Sequence, residues 1–105
     1  MAVLKPAKAD WRPFFDRISR SLTGRRAEIA IVAPMDGEQI EAEWVPLLGI
    51  SYDPKNDVID IILDGLDHRI AQPQSVISEE RGRELYSLEI VDRDGVSQSV
   101  LVRER

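Results

Sequence analysis

Cysteine is absent from this chain of 105 residues, and histidine occurs once, at position 68. Without thiols there is no disulfide, no thiolate nucleophile, no iron–sulfur cluster and no cysteine-ligated zinc. One histidine leaves no pair for a zinc site and a single imidazole for any serine nucleophile. Neither a GxSxG elbow nor a glycine-rich phosphate loop is present. The apolar runs are far too short to span a bilayer, and MAVLKPAKAD lacks the apolar core of a signal peptide. These absences fit a soluble protein of a reducing compartment, and a cytoplasmic location is the expectation.

What is present describes one globular domain. Hydrophobic residues make up 43% and charged residues 31%, enough for a modest core and too apolar for a disordered chain. The net charge of −5 is unevenly placed. Residues 1–26 carry seven basic side chains against two acidic ones, a net of +5; the remainder carries seven against seventeen, a net of −10. A basic segment on an acidic body reads first as an arm attracted to that body. The sharper reading is a nucleic-acid tail, which the acidic body would oppose at close range. Nucleic acid is therefore an unexpected partner. An RNA-reading sheet would also show exposed aromatics beside basic residues, and the neighbours of Tyr52 and Tyr86 are largely acidic.

Residues 1–9 read as a flexible lead-in and 10–105 as the domain. A helix is expected over 10–23. Asp10 is its candidate N-cap, Pro13 falls in the first turn and Gly24 lies just past the end. Trp11, Phe14, Phe15, Ile18 and Leu22 recur at spacings of three and four, an apolar stripe. Arg12, Asp16, Arg20 and Arg17 fall on the wet side. From residue 27 the period becomes two. Strands are expected at 27–33, around 38–52 with a bend at Pro46, at 58–63, 68–71, 75–80, 84–91 and 96–102. In the second of these, Ile40, Ala42 and Trp44 alternate with Glu41 and Glu43, so the first three should share a face. Asp53-Pro54-Lys55-Asn56 reads as a type I turn with Asn56 free to turn left-handed, and Asp92-Arg93-Asp94-Gly95 as a hairpin turn. No βαβ crossover is visible. The expectation is α+β: the helix packed on a strongly bent antiparallel sheet, or on a small Sm-like or SH3-like barrel, of about six strands.

Chemistry-bearing clusters are few. Asp57, Asp60, Asp64 and Asp67 are spaced to share a helix face, but VIDIIL is strand-like, which breaks the array. Asp92-Arg93-Asp94-Gly95 starts like a calcium loop, yet glycine falls at the fourth position and no glutamate at the twelfth. Asp64, Asp67 and His68 in DGLDHRIAQP are the one candidate constellation for a metal-dependent enzyme. The plainer reading makes this stretch a corner: Gly65 takes the positive φ, Leu66 drops into the core, Asp67 accepts from nearby N–H groups and His68 packs with one nitrogen hydrogen-bonded. No catalytic, cofactor-binding or metal-ligating residue is assigned, and no cofactor is expected.

GISYDPKNDVIDIILDGLDHRIAQP (49–73), SLEIVDRDGVSQSVLVR (87–103) and DWRPFFDRISR together resemble a family of small bacterial proteins known only as a domain of unknown function. The likeness spans roughly residues 10–103. It implies a stand-alone, soluble bacterial protein and brings no activity or site residue. The function expected is a non-enzymatic binding or protein-interaction module, its partner another protein or a second copy, with no membrane contact. The alternatives are a nucleic-acid-binding barrel using the basic N-terminal segment, and a metal-dependent enzyme around Asp64, Asp67 and His68.

Overall fold

The computed structural model describes residues 2–35, 37–82 and 84–103. One helix, α1 (Trp11–Ser19), packs on eight strands. These are β1 (Ala2–Leu4), β2 (Arg26–Ala33), β3 (Gly37–Asp53), β4 (Val58–Leu63), β5 (Leu66–Ala71), β6 (Pro73–Arg81), β7 (Glu84–Asp92) and β8 (Ser97–Arg103). They form one antiparallel sheet in the order β1-β6-β7-β8-β2-β3-β4-β5. The sheet is bent but not closed, which decides against the barrel. Its strand count also exceeds the expected six. One strand had been missed, and the two expected at 68–71 and 75–80 are longer than expected. Ala2–Leu4, assigned to a flexible lead-in, pairs with Glu80–Ser78 of β6. Residues 66–81 form two strands joined through Gln72 alone, at φ 53°.

The helix is shorter than 10–23. A 3-10 turn, Lys8–Asp10, feeds into it, and Asp10 makes no side-chain cap. Beyond Ser19 the chain tightens into three-residue turns, Ser21 N–H to Ile18 O and Leu22 N–H to Ser19 O. Two serines account for this early stop. The Ser21 hydroxyl competes for the Ile18 carbonyl at 2.9 Å. The Ser19 hydroxyl leaves the helix altogether: it donates to Ile50 O at 2.7 Å and accepts from Ile50 N–H at 2.9 Å. Ile50 lies past the point where β2 ends, so one hydroxyl stands in for a missing strand.

Long β3 spans the sheet's bend. Its first half pairs with β2 and its second half with β4, and the handover falls at Pro46, which has no N–H to donate. Three shifts of register kink β2–β3 and β3–β4. One of them overturns the simple alternation. Glu41 is an extra residue in a bulge, so Ala42 pairs with core-facing Ile29 while Ile40 pairs with outward Ala30. Ile40 and Ala42 are thus on opposite faces.

The core lies between α1 and the concave face. Trp11, Phe15, Ile18 and Leu22 are buried against Ile50, Tyr52, Ile59, Ile61 and neighbours. Trp11 meets Tyr52 edge-on at 5.2 Å. Arg17 does not stay on the wet side. Its guanidinium forms a two-pronged pair with Glu80, 3.0 and 3.1 Å, whose side chain is 4% exposed. That pair holds the Arg17 pKa above its ordinary value. Edge strand β5 also reaches β8, in the middle of the sheet, where His68 Nε2 meets Gln98 Oε1.

Candidate functional site

The Asp64–Asp67–His68 stretch does not converge. Asp64 and Gly65, at φ 80°, make the β4–β5 turn. Asp67 and His68 are successive residues of β5, opposite Ile62 and Ile61, so they point to opposite faces. His68 turns inward to Gln98 and Asp67 outward to solvent. Leu66 is 44% exposed and does not anchor the corner in the core. Among the described residues no group of three or more His, Asp or Glu side chains could hold a metal ion.

The other aspartates divide between structure and a shallow polar groove. Asp53 caps its own turn, accepting Lys55 N–H at 2.9 Å and the Asn56 side-chain amide at 2.8 Å; the Asn56 bond chiefly holds its pKa down. Asp57, and not Asn56, takes the left-handed backbone, at φ 54°. It accepts from Tyr52 Oη at 2.7 Å and pairs with Lys8 at 3.0 Å. The tyrosine bond lowers the Asp57 pKa; burial, then Asp57, pushes Tyr52 up to about 12. Ser51, Asp60 and Arg69 stand in one row across β3, β4 and β5 beside a cavity of about 340 Å³. Burial and then the nearby Asp67 raise the Asp60 pKa, Arg69 is 3.9 Å away, and Asp60 Oδ1 is buried with no hydrogen bond. Ser51 lies directly across from Asp60, but the Asp60 Oδ1 atom makes no hydrogen bond to it, so the two are not joined as a nucleophile–base pair.

The basic N-terminal segment is largely committed to the body. Lys8 bonds Asp57 and Pro73 O, Arg17 bonds Glu80, buried Arg25 donates to Leu85 O, and Arg26 donates to Trp44 O. Four of its seven cations are held in place.

The convex face of the sheet is different. Register across β3, β2, β8, β7, β6 and β1 arranges its side chains in rungs. The first holds Arg26 and Arg103. The second runs Glu28, Leu101, Ser87, Glu79, Val3. The third runs Ile40, Ala30, Ser99, Glu89, Ile77. The fourth runs Glu38, Val32, Ser97, Val91, Ser75. Val3, Val32, Ile40 and Leu101 are between 39 and 67% exposed over a floor of serine and alanine. A hollow of about 200 Å³ opens there between Val3, Ile77, Ser99 and Leu101. At the first rung's end two arginines lie on aromatic rings: Arg103 on Trp44 at 3.8 Å and Arg81 on Tyr86 at 4.1 Å. Trp44 sits in a bulge at φ 52°. A left-handed backbone costs a bulky residue roughly 1–2 kcal/mol, and the bulge is what aims this indole outward. Nothing in the sequence announced this cluster, because its members come from four strands and depend on two bulges.

Fold and surface together define an α+β protein with a helix-filled concave core and an exposed convex sheet face. Residues 3–105 match a family described as a family of unknown function, DUF5335, and the chain belongs to it. An uncharacterized protein of Aquifex aeolicus (strain VF5) is 36% identical over 96 residues, covering 90% of this chain and 86% of that relative. No solved structure matches the chain. Among the described residues no helix is long and apolar enough to cross a membrane.

Proposed function

We propose that this protein is a non-enzymatic interaction module that binds a protein through the convex face of its sheet. The observation that carries this reading is the coincidence of exposed apolar side chains, a shallow hollow and arginine-stacked Trp44 and Tyr86 on one face. Tryptophan, tyrosine and arginine are the residues enriched where protein interfaces concentrate their binding energy. An enzyme is disfavoured by the dispersal of Asp64, Asp67 and His68.

Nucleic acid is the second reading, favoured by the same arginine–aromatic pairs, which resemble a base-stacking platform. Glu28, Glu79 and Glu89 on the adjoining rungs oppose a phosphate backbone. Site-directed photocrosslinking in native cells tests the proposal. A photoreactive phenylalanine in place of Leu101 should yield a protein adduct, and the same residue in place of exposed Leu66 should not. Equal adducts at both positions, or none at Leu101, contradict the reading.

A further inference from the structure

We infer that the protein partner of the convex face is anchored by an arginine side chain, seated in the hollow beside Leu101 with its guanidinium between Glu79 and Glu89. The inference rests on the reading of that face as a binding surface and adds the chemistry of its occupant. Its ground is the charge of the rungs around the hollow. The second, third and fourth rungs carry four carboxylates, Glu28, Glu79, Glu89 and Glu38, and no cation. The three arginines of the face stay at the end of the first rung. Arg103 and Arg81 lie on Trp44 and Tyr86, Arg26 donates to Trp44 O, and Glu84 stands opposite Arg81. Among the described residues the ion pairs are Lys8–Asp57, Arg17–Glu80 and Arg69–Asp60, so Glu79 and Glu89 have no cation within bonding distance. A nucleic acid or an acidic peptide is repelled from these rungs, and a cation on the partner is attracted to them.

The hollow's shape selects the kind of cation. Short Ser87 and Ser99 form its floor, Val3, Ile77 and Leu101 its walls, and the two carboxylates its rim. Register explains the depression. Ser87 has Leu101 on one side and Glu79 on the other, and Glu89 follows it by two residues along β7. A long aliphatic stem fits the apolar walls, because basic side chains lay their stems on apolar surface and keep the charged head in water. Glu79 and Glu89 are diagonal neighbours on β6 and β7, about 7–8 Å apart at Cα, so one head group can meet both. Arginine suits that task better than lysine. Its planar guanidinium holds five donors in a fixed fork and pairs with carboxylates through parallel bonds. Arginine is also enriched at protein interfaces, where lysine is depleted. The serine hydroxyls accept from the donors that remain.

Amide NMR on the full chain tests the anchor, with N-acetyl-arginine amide, N-acetyl-lysine amide and N-acetyl-citrulline amide as probes. Citrulline has the length of arginine without its charge. The arginine probe should shift the amides of Ile77, Glu79, Ser87, Glu89 and Leu101. Those around Asp64 and Asp67, the exposed carboxylates of the β4–β5 hairpin, should stay in place. Arginine should bind about tenfold more tightly than citrulline and severalfold more tightly than lysine. Glu79→Gln together with Glu89→Gln should weaken arginine about tenfold, and the variant's own amide spectrum shows whether it is folded. Equal shifts around Asp64 and Asp67, equal binding of citrulline or lysine, or an affinity indifferent to the double substitution overturns the inference. So does a single-stranded oligonucleotide that shifts the same amides at lower concentration than arginine. If arginine fails while the Leu101 photoadduct contains a protein, the anchor is wrong and the binding face stands. If arginine binds but Leu101 yields no protein adduct, the reading of the face fails and takes the inference with it.

Discussion

Val100 and Leu101 are neighbours on β8 and opposites in their surroundings. Val100 is fully buried, paired with Ile29 and Leu88; Leu101 is 43% exposed, paired with Glu28 and Ser87. The contrast extends across the sheet. The concave face carries branched aliphatics that interlock with α1, and beneath the helix Glu80 is paired with Arg17. The convex face carries serine, alanine, isolated aliphatics and arginines lying on aromatic rings. Burial of large side chains is the chief favourable term in folding, at roughly 1.5–3 kcal/mol each. The concave face therefore carries the stability. Side chains left in water on the convex face contribute little to it, and their arrangement is free to serve binding.

Substitutions can break this division or sharpen it. The largest effect belongs to the helix. Phe15 is fully buried, and Phe15→Ala should cost about 3–5 kcal/mol in urea unfolding. A loss under half a kcal/mol would mean the helix is not part of the core. Next comes Arg17→Ala, which strands the Glu80 carboxylate beneath the helix. Removing one partner of a buried pair costs about 3–5 kcal/mol; because half of the Arg17 side chain is in water, about 2 kcal/mol is expected here. Arg17→Ala together with Glu80→Leu should recover most of it, since no charge is then left unpaired.

A smaller effect of opposite sign is expected at Asp60. Its pKa is raised in the folded protein, so its proton is lost more readily when the chain unfolds. The folded state is favoured while Asp60 keeps its proton, and that advantage is lost as pH rises through its folded pKa. Asp60→Asn should thus raise the urea midpoint at neutral pH, and the gain should fade as pH falls below the ordinary carboxylate range. A variant less stable than wild type at neutral pH would show that the weak Arg69 contact outweighs burial.

Much of this fold was legible in the sequence for physical reasons. The helix stripe repeats Trp11, Phe15, Ile18, Leu22 at 3.6-residue spacing, and those four residues are buried. The last hairpin was readable because its turn chemistry is local: Gly95 is at φ 79°, and Asp92 Oδ1 accepts Asp94 and Val96 N–H. What failed depended on distance along the chain or on bulges. Three residues, Ala2–Leu4, are too short a signal for a strand whose partner lies more than 70 residues away. An inserted Glu41 reversed the facing of Ile40, since a period of two cannot survive an extra residue. Gln72 carries a left-handed strand-to-strand corner with no glycine to mark it, only Pro73 beside it. The candidate site was the least legible part: Arg103 and Trp44 meet only because β8, β2 and β3 are adjacent.

The most direct test of the two-faced account is a paired alanine truncation, Leu88→Ala and Leu101→Ala, each measured by urea unfolding and, with a photoreactive phenylalanine in place of Val32, by the yield of protein photoadduct. Leu88 lies on the concave face at 1% exposure, and its truncation should cost about 2–4 kcal/mol. Leu101→Ala should change stability by less than about 0.5 kcal/mol, as surface substitutions do, while lowering the adduct severalfold. An adduct untouched by Leu101→Ala, or a loss of stability comparable to that of Leu88→Ala, would contradict the account.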